Sequence, residues 1–215
     1  MLPEIHIRRH ARAKRLTLRV YPDRIALSVP IRCSEQQIQA FIASSEIWLK
    51  QAWQKQQKQT EANLPTSIHL FNQPQAIEIV YQVQKQAFML HDQCLYLDVA
   101  RPHIALKAFS FAYAKQHLPP FLEKISQETQ LDYQTCSIRQ AKTRWGSCSS
   151  LQNIMLSSAL VFCDETLVRY VCIHELCHTV YMHHGAQFWQ LVEKFDPQYQ
   201  RHRQQLKQQQ PYTLG

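Results

Sequence analysis

Glycine is nearly missing, with three residues in 215. That scarcity excludes collagen-like repeats and glycine-rich linkers. Long apolar runs are missing as well: none approaches the ~18 residues that a membrane-spanning helix needs, so no membrane partner is expected. Acid is in short supply, 16 Asp and Glu against 24 Lys and Arg, which leaves a net charge of +8 and a pI near 9.2. The excess of cations fits an anionic partner or simply a solvated basic surface, and charge alone does not identify nucleic acid. The seven cysteines (Cys33, Cys94, Cys136, Cys148, Cys163, Cys172 and Cys177) are odd in number and contain no CxxC pair. The opening MLPEIHIRRHARAKR carries no apolar stretch of signal-peptide type. Reduced thiols in a cytoplasmic setting are therefore expected.

What is present is enough for a packed core: 45% of the residues are hydrophobic. RLTLRVYPDRIALSVP (15–30) alternates on both sides of Pro22-Asp23 and predicts a β-hairpin. Ser34 with Gln37 forms a capping-box pattern ahead of Ile38, Phe41, Ile42, Trp48, Leu49 and Ala52, which recur at helical spacing. The polar stretch 54–63 reads as the end of that helix or as a linker. Short β-rich runs fill 67–99, with a turn at Asp92-Gln93. Residues 104–131 are helical in pattern, and Pro119-Pro120 is expected to kink or divide them. CSIRQA, TRWGSC and NIMLSSAL read as strands joined through Gly146 and the polar stretch 149–153. A further helix starts near Asp164, a candidate N-cap, another follows Gly185, and the polar tail RHRQQLKQQQ is expected to fray.

Running into YVCIHELCHTVYMHHGAQFW (170–189), Leu167, Val171, His174 and His178 fall at i, i+4, i+7 and i+11, so the two histidines point inward with the apolar stripe. One helical turn apart on one face, they can reach a single ion, and zinc suits them. Glu175 lies about 100° round the helix, beside such an ion, where a carboxylate can take a proton from water that the ion has acidified to a pKa of roughly 7. His184 is the natural third ligand, with His183 as its competitor. Six residues beyond His178, His184 would be about 240° round an unbroken helix, so the helix must end or turn first, and Gly185 offers backbone freedom nearby. The His-x3-His-x5-His spacing equals that of the metzincins, but Tyr181 stands where they carry glycine, which implies a different turn. The plainer account is a pair of satisfied core histidines. It would have to partner two imidazoles and a carboxylate inside one apolar helix, at a desolvation cost of a few kcal/mol each; a metal removes that difficulty.

TRWGSCSS, NIMLSSAL and the histidine helix together resemble the YgjP-like predicted metal-dependent hydrolases, which are related to the SprT-like and WLM zinc metallopeptidases. RRHARAKRLTLRV (8–20) and the helix ending near Trp53 match the family's opening, and the resemblance spans roughly 7–203. The family pattern HELxH-x5-H-x3-FW implies one Zn2+ held by His174, His178 and His184, with Glu175 as catalytic base and Phe188-Trp189 packed behind the third ligand. It implies that the TRWGSC strand borders the cleft, with an edge open to an extended peptide, and it brings Arg144, Trp145, Tyr181 and His183 forward as cleft or transition-state candidates. His183 stands where relatives often carry Asn, and Gly185 where many carry Ser. Cys148, Cys172 and Cys177 could suggest thiolate ligands, but Cys177 faces away from the ligand stripe and reads as a small core residue.

The expectation is thus an α+β chain. Residues 1–100 form an antiparallel β-rich region with one amphipathic helix (34–58). Residues 101–215 form a zincin-like catalytic region with HExxH on an active-site helix beside a small sheet, and the two make one compact unit. The leading function is a zinc-dependent hydrolase acting on peptide or protein. The alternatives are a nucleoside triphosphate (UTP-type) pyrophosphohydrolase, with Arg8, Arg9, Arg12, Lys14 and Arg15 as an anion-binding cluster, and a SprT-like protein that associates with nucleic acid through its basic face.

Overall fold

The computed structural model describes residues 2–21, 24–62 and 64–209. They fall into two units that divide between Pro65 and Thr66. No helix among the described residues is long and apolar enough to cross a membrane.

The first unit holds strands β1 (Ile5–His10), β2 (Thr17–Val20) and β3 (Ile25–Pro30) in the order β1-β3-β2, followed by helices α1 (Glu35–Ser44) and α2 (Glu46–Ala62). The alternation in IALSVP puts Ile25, Leu27 and Val29 fully inside. β2 and β3 pair antiparallel, as the hairpin pattern requires, with the turn at Pro22-Asp23 outside the described residues. β1 pairs with the other edge of β3 in parallel, so this sheet is mixed and not antiparallel throughout. The hairpin uses one edge of β3, and the remaining backbone groups of β3 still need partners; the preceding segment supplies them from across the sheet. The helix expected over 34–58 is two helices. The capping box starts α1 as read, with Ser34 Oγ accepting from the Gln37 amide at 3.3 Å and Gln37 Oε1 accepting from the Ser34 amide at 2.9 Å. Ser45 (φ −96°, ψ 0°) then closes α1, and the Ser44 hydroxyl donates to the Phe41 carbonyl (3.0 Å), a local bond that competes with the helical ladder.

The second unit opens with β4 (Ser67–Ile68), β5 (Ile77–Gln82), β6 (Phe88–His91) and β7 (Cys94–Asp98), ordered β4-β5-β7-β6. β5 and β7 are parallel, so this sheet is mixed too, while β6 and β7 form a hairpin. Its two loop residues, Asp92 (φ 47°) and Gln93 (φ 61°), both take the positive φ of a type I′ turn. Helix α3 (Pro102–Thr129) follows and runs unbroken for 28 residues. Pro119-Pro120 does not divide it: two prolines delete two amide donors, and the buried Leu118, Leu122 and Ile125 hold both halves against the core. Next come β8 (Thr135–Arg139), β9 (Gly146–Cys148) and β10 (Asn153–Ser157), ordered β8-β10-β9, with β9 antiparallel to β10 and Gly146 opposite Leu156. A short 3-10 turn (Ser158–Phe162) leads to α4 (Glu165–Cys177), then α5 (Ala186–Phe195) and α6 (Tyr199–Gln208). Asp164 is the N-cap residue of α4, although its side chain makes no capping bond. The tail does not fray through Gln208: it is helix α6, pinned by the buried Leu206 and by His202 Nδ1 on Asp196 Oδ2 at 2.7 Å. Helix α4 lies beside β9, α5 and α6, with its buried face in the core. The architecture is α+β, with the HExxH helix beside a small sheet.

Candidate metal centre and active site

Helix α4 ends at Cys177, and the chain then folds back in tight turns. The Thr179 amide bonds to the Leu176 carbonyl (2.9 Å) and the Tyr181 amide to the Cys177 carbonyl (2.9 Å). This return carries His184 over the face that presents His174 and His178. Gly185 plays no special part in it: its backbone (φ −76°, ψ −179°) suits any residue, and an added Cβ would meet nothing within 4 Å. His184 is instead held from behind. Trp189 Nε1 donates to its carbonyl (3.1 Å), the indole stacks on its ring (5.5 Å between centroids, 24°), and Tyr199 stacks on Trp189 in turn (5.3 Å, 19°). Phe188 stacks on His178 (4.5 Å, 29°). The Phe-Trp pair therefore sets two of the three rings.

His184 Nε2 lies 3.1 Å from His178 Nε2 and 3.1 Å from His174 Nε2. Three nitrogens on a tetrahedral zinc, each ~2.0–2.1 Å from it, would stand roughly 3.3–3.4 Å apart. His178 Nδ1 lies 3.0 Å from the Tyr181 carbonyl, which can only accept, so Nδ1 carries the proton and Nε2 presents a bare lone pair. Burial lowers the pKa of all three rings. His174 falls to about 3, from burial first and then from the neighbouring imidazoles and Arg203. Neutral rings with converging lone pairs repel one another unless a proton or a cation sits between them, and one cation can satisfy all three. The donor set fits a divalent metal.

Glu175 follows His174 on the helix and is 6% exposed. Its carboxylate lies against the backbone of β9: a Cβ on Gly146 would come within 2.6 Å of Oε1 and 2.7 Å of Cγ. Burial pushes the Glu175 pKa up to about 8, partly offset by the Arg144 guanidinium. The fit between Gly146 and Glu175 is absent from the sequence reading, where Gly146 served only to join strands.

The other candidates spread out. Arg144 is exposed and acts on Glu175 through charge; Trp145 is half-buried and lines a cavity beside Glu175 and His174. Tyr181 contributes its main-chain carbonyl. His183 is exposed and outside the three-histidine group. In the first unit, Arg9 donates to the carbonyls of Ile31 (3.1 Å) and Cys33 (2.8 Å) and pairs with Glu35 (3.6 Å), so it ties the sheet to the start of α1. Arg8, Arg12, Lys14 and Arg15 are exposed. Cys172 and Cys177 are buried among apolar side chains, and burial, with Glu175 adding to it, raises the Cys148 thiol to about 11; none joins the histidine group. Tyr170, Arg203 and Lys207, none singled out by the sequence, line the same cavity as Glu175.

A family model described as YgjP-like, metallopeptidase domain, matches residues 14–209. The chain belongs to this family. Among solved structures, this YgjP-like chain is similar to the metallopeptidase zymogen of Pyrococcus abyssi abylysin, at 24% identity over 42% of this chain and 92% of that one, with a TM-score of 0.39. It is also similar to the metallopeptidase zymogen of Methanocaldococcus jannaschii jannalysin, at 19% identity over 42% and 94%, with a TM-score of 0.38. No curated protein matches the chain.

Proposed function

We propose that this YgjP-like protein is a zinc-dependent peptidase. His174, His178 and His184 hold the ion, and Glu175 is the general base. The observation that carries the reading is the meeting of three Nε2 atoms, two pairs of them 3.1 Å apart, beside the buried carboxylate of Glu175 on α4. The ion, when bound, supplies a Lewis acid that polarises the scissile carbonyl and acidifies water. With a dication held by its neighbours, Glu175 is a carboxylate at neutral pH. Its oxygens accept the proton of the attacking water and pass it to the departing amine. Gly146 keeps those oxygens in place by leaving no side chain in their way, and Arg144 adds positive charge beside them.

The test is chelation followed by repletion. Protein stripped of metal should show no hydrolysis of an unfolded protein substrate, and one equivalent of zinc should restore it. Pyrophosphate release from UTP, abolished by the chelator and accompanied by no peptide cleavage, would overturn the peptidase reading in favour of a nucleotide substrate.

Gly146→Ala supplies a second check. The new methyl meets the Glu175 side chain, so the carboxylate must swing away while the three imidazoles stay in place. A misplacement of about 1 Å costs on the order of 10²-fold in rate. The expected outcome is a turnover loss of that size with zinc stoichiometry unchanged, read by single-turnover kinetics and metal analysis.

A further inference from the structure

A cavity of about 270 Å³ opens beside the histidine group, between β9, α4 and α6. His174 and Glu175 form one part of its wall, and Val171 and Leu206 are buried in its lining. Arg203 and Lys207, one turn apart on α6, form another part of the wall. The Arg203 guanidinium rests over the Trp189 ring at 4.8 Å, which orients it. Both side chains are exposed, and among the described residues neither has a carboxylate partner; Asp196 is already bonded to His202. Two cations with no carboxylate partner among the described residues, set over an apolar floor and next to the candidate reacting groups, fit a ligand that is apolar at one end and anionic at the other.

We infer that this cavity is a subsite for the C-terminal residue of a peptide, whose side chain meets Val171 and Leu206 and whose α-carboxylate pairs with Arg203 and Lys207. The inference rests on the peptidase reading for its chemistry. The cavity is smaller than the roughly 300–1,000 Å³ of sites that take whole small-molecule ligands, so it admits one residue. The same small space is bounded by Glu175 and by the cations, so the anion belongs to the residue next to the scissile bond. An acidic side chain at that position would leave the apolar floor uncovered. The protein would then remove single residues from free C-termini: water adds to the last peptide carbonyl, the C–N bond breaks, and the proton taken by Glu175 goes to the amine of the released amino acid.

The experiment has a binding arm and a turnover arm. N-acetyl-leucine and N-acetyl-leucinamide are titrated into metal-free and zinc-loaded protein, with binding followed by tryptophan fluorescence, since Trp145 lines the cavity and Trp189 lies under Arg203. Pairing with two exposed cations favours a carboxylate over a neutral amide, so the acid should bind about three- to tenfold more tightly than the amide even without metal. The exposed double change Arg203→Gln with Lys207→Gln should erase that preference, bringing the affinity for the acid down to that for the amide. In the turnover arm, zinc-loaded protein is given one peptide as free acid and as C-terminal amide, and release of the last residue should occur from the acid alone. Equal binding of acid and amide, a preference that survives the double change, or equal cleavage of both peptides would overturn the subsite. If the preference holds in the metal-free protein while no peptide is cleaved, the peptidase reading falls and the carboxylate site stands.

Discussion

Glu175→Gln should take up zinc like the parent and turn over peptide roughly 10³-fold more slowly, within the 10²–10⁴-fold range of general acid–base catalysis. The change keeps shape and volume against Gly146 and removes only the ability to accept a proton. The three imidazoles are untouched, so metal analysis should return the parent stoichiometry. Misfolding is separable from lost chemistry through the metal-free protein. There burial raises the folded pKa of Glu175 to about 8 from the 4.5 of an ordinary glutamate. A carboxyl whose folded pKa is raised favours its protonated form in the fold. The metal-free parent therefore loses stability as pH climbs from about 4.5 to about 8, where the unfolded chain is ionised and the buried group resists ionisation. A neutral amide escapes that penalty. At pH 8 the metal-free variant should melt no lower than the metal-free parent by calorimetry. A parent-like rate in the zinc-loaded variant would remove Glu175 from the reaction.

Local patterns in the chain carried far, and contacts between distant segments did not. The period of Leu167, Val171, His174 and His178 set the histidines on the inward stripe of α4, and the capping box at Ser34 and Gln37 opened α1 where the pattern placed it. The Asp92-Gln93 turn was legible as a polar break, although only the backbone reveals its paired positive φ values. The contact of Gly146 with Glu175 joins β9 to α4 across 29 positions and leaves no periodic trace. Helix α6 was missed because most of its residues are polar: it shows one buried aliphatic residue, Leu206, and is anchored by Tyr199 and His202, so its stripe reads as solvated tail. The Ser45 break and the intact passage through Pro119-Pro120 turn on local hydrogen bonds and on core packing, which outweigh the propensities that predicted the reverse. Gly185 drew attention for a freedom that its backbone does not use.

On the proposed reading, the adjacent pair His183-His184 divides into a ligand and a bystander. His184→Ala should lower zinc affinity by more than about 100-fold, because changes one shell further out already cost ~10–100-fold. Its Nε2 is the atom that stands 3.1 Å from both other rings, so its loss opens the cluster to a two-nitrogen site. Trp189 keeps its bond to the main-chain carbonyl at this position, so the return of the chain over α4 survives the change and the loss is specific to the metal. His183→Ala should hold zinc within a small factor of the parent, since the ring is exposed and outside the group. Competition against a chromogenic chelator reads both affinities. Thermal shift gives an independent measure: zinc at 100 times its Kd stabilises the parent by about 2.7 kcal/mol, and His184→Ala at the same zinc concentration should lose most of that increment while His183→Ala keeps it. The reverse order would move the third ligand to His183, and with it the turn that returns the chain over α4.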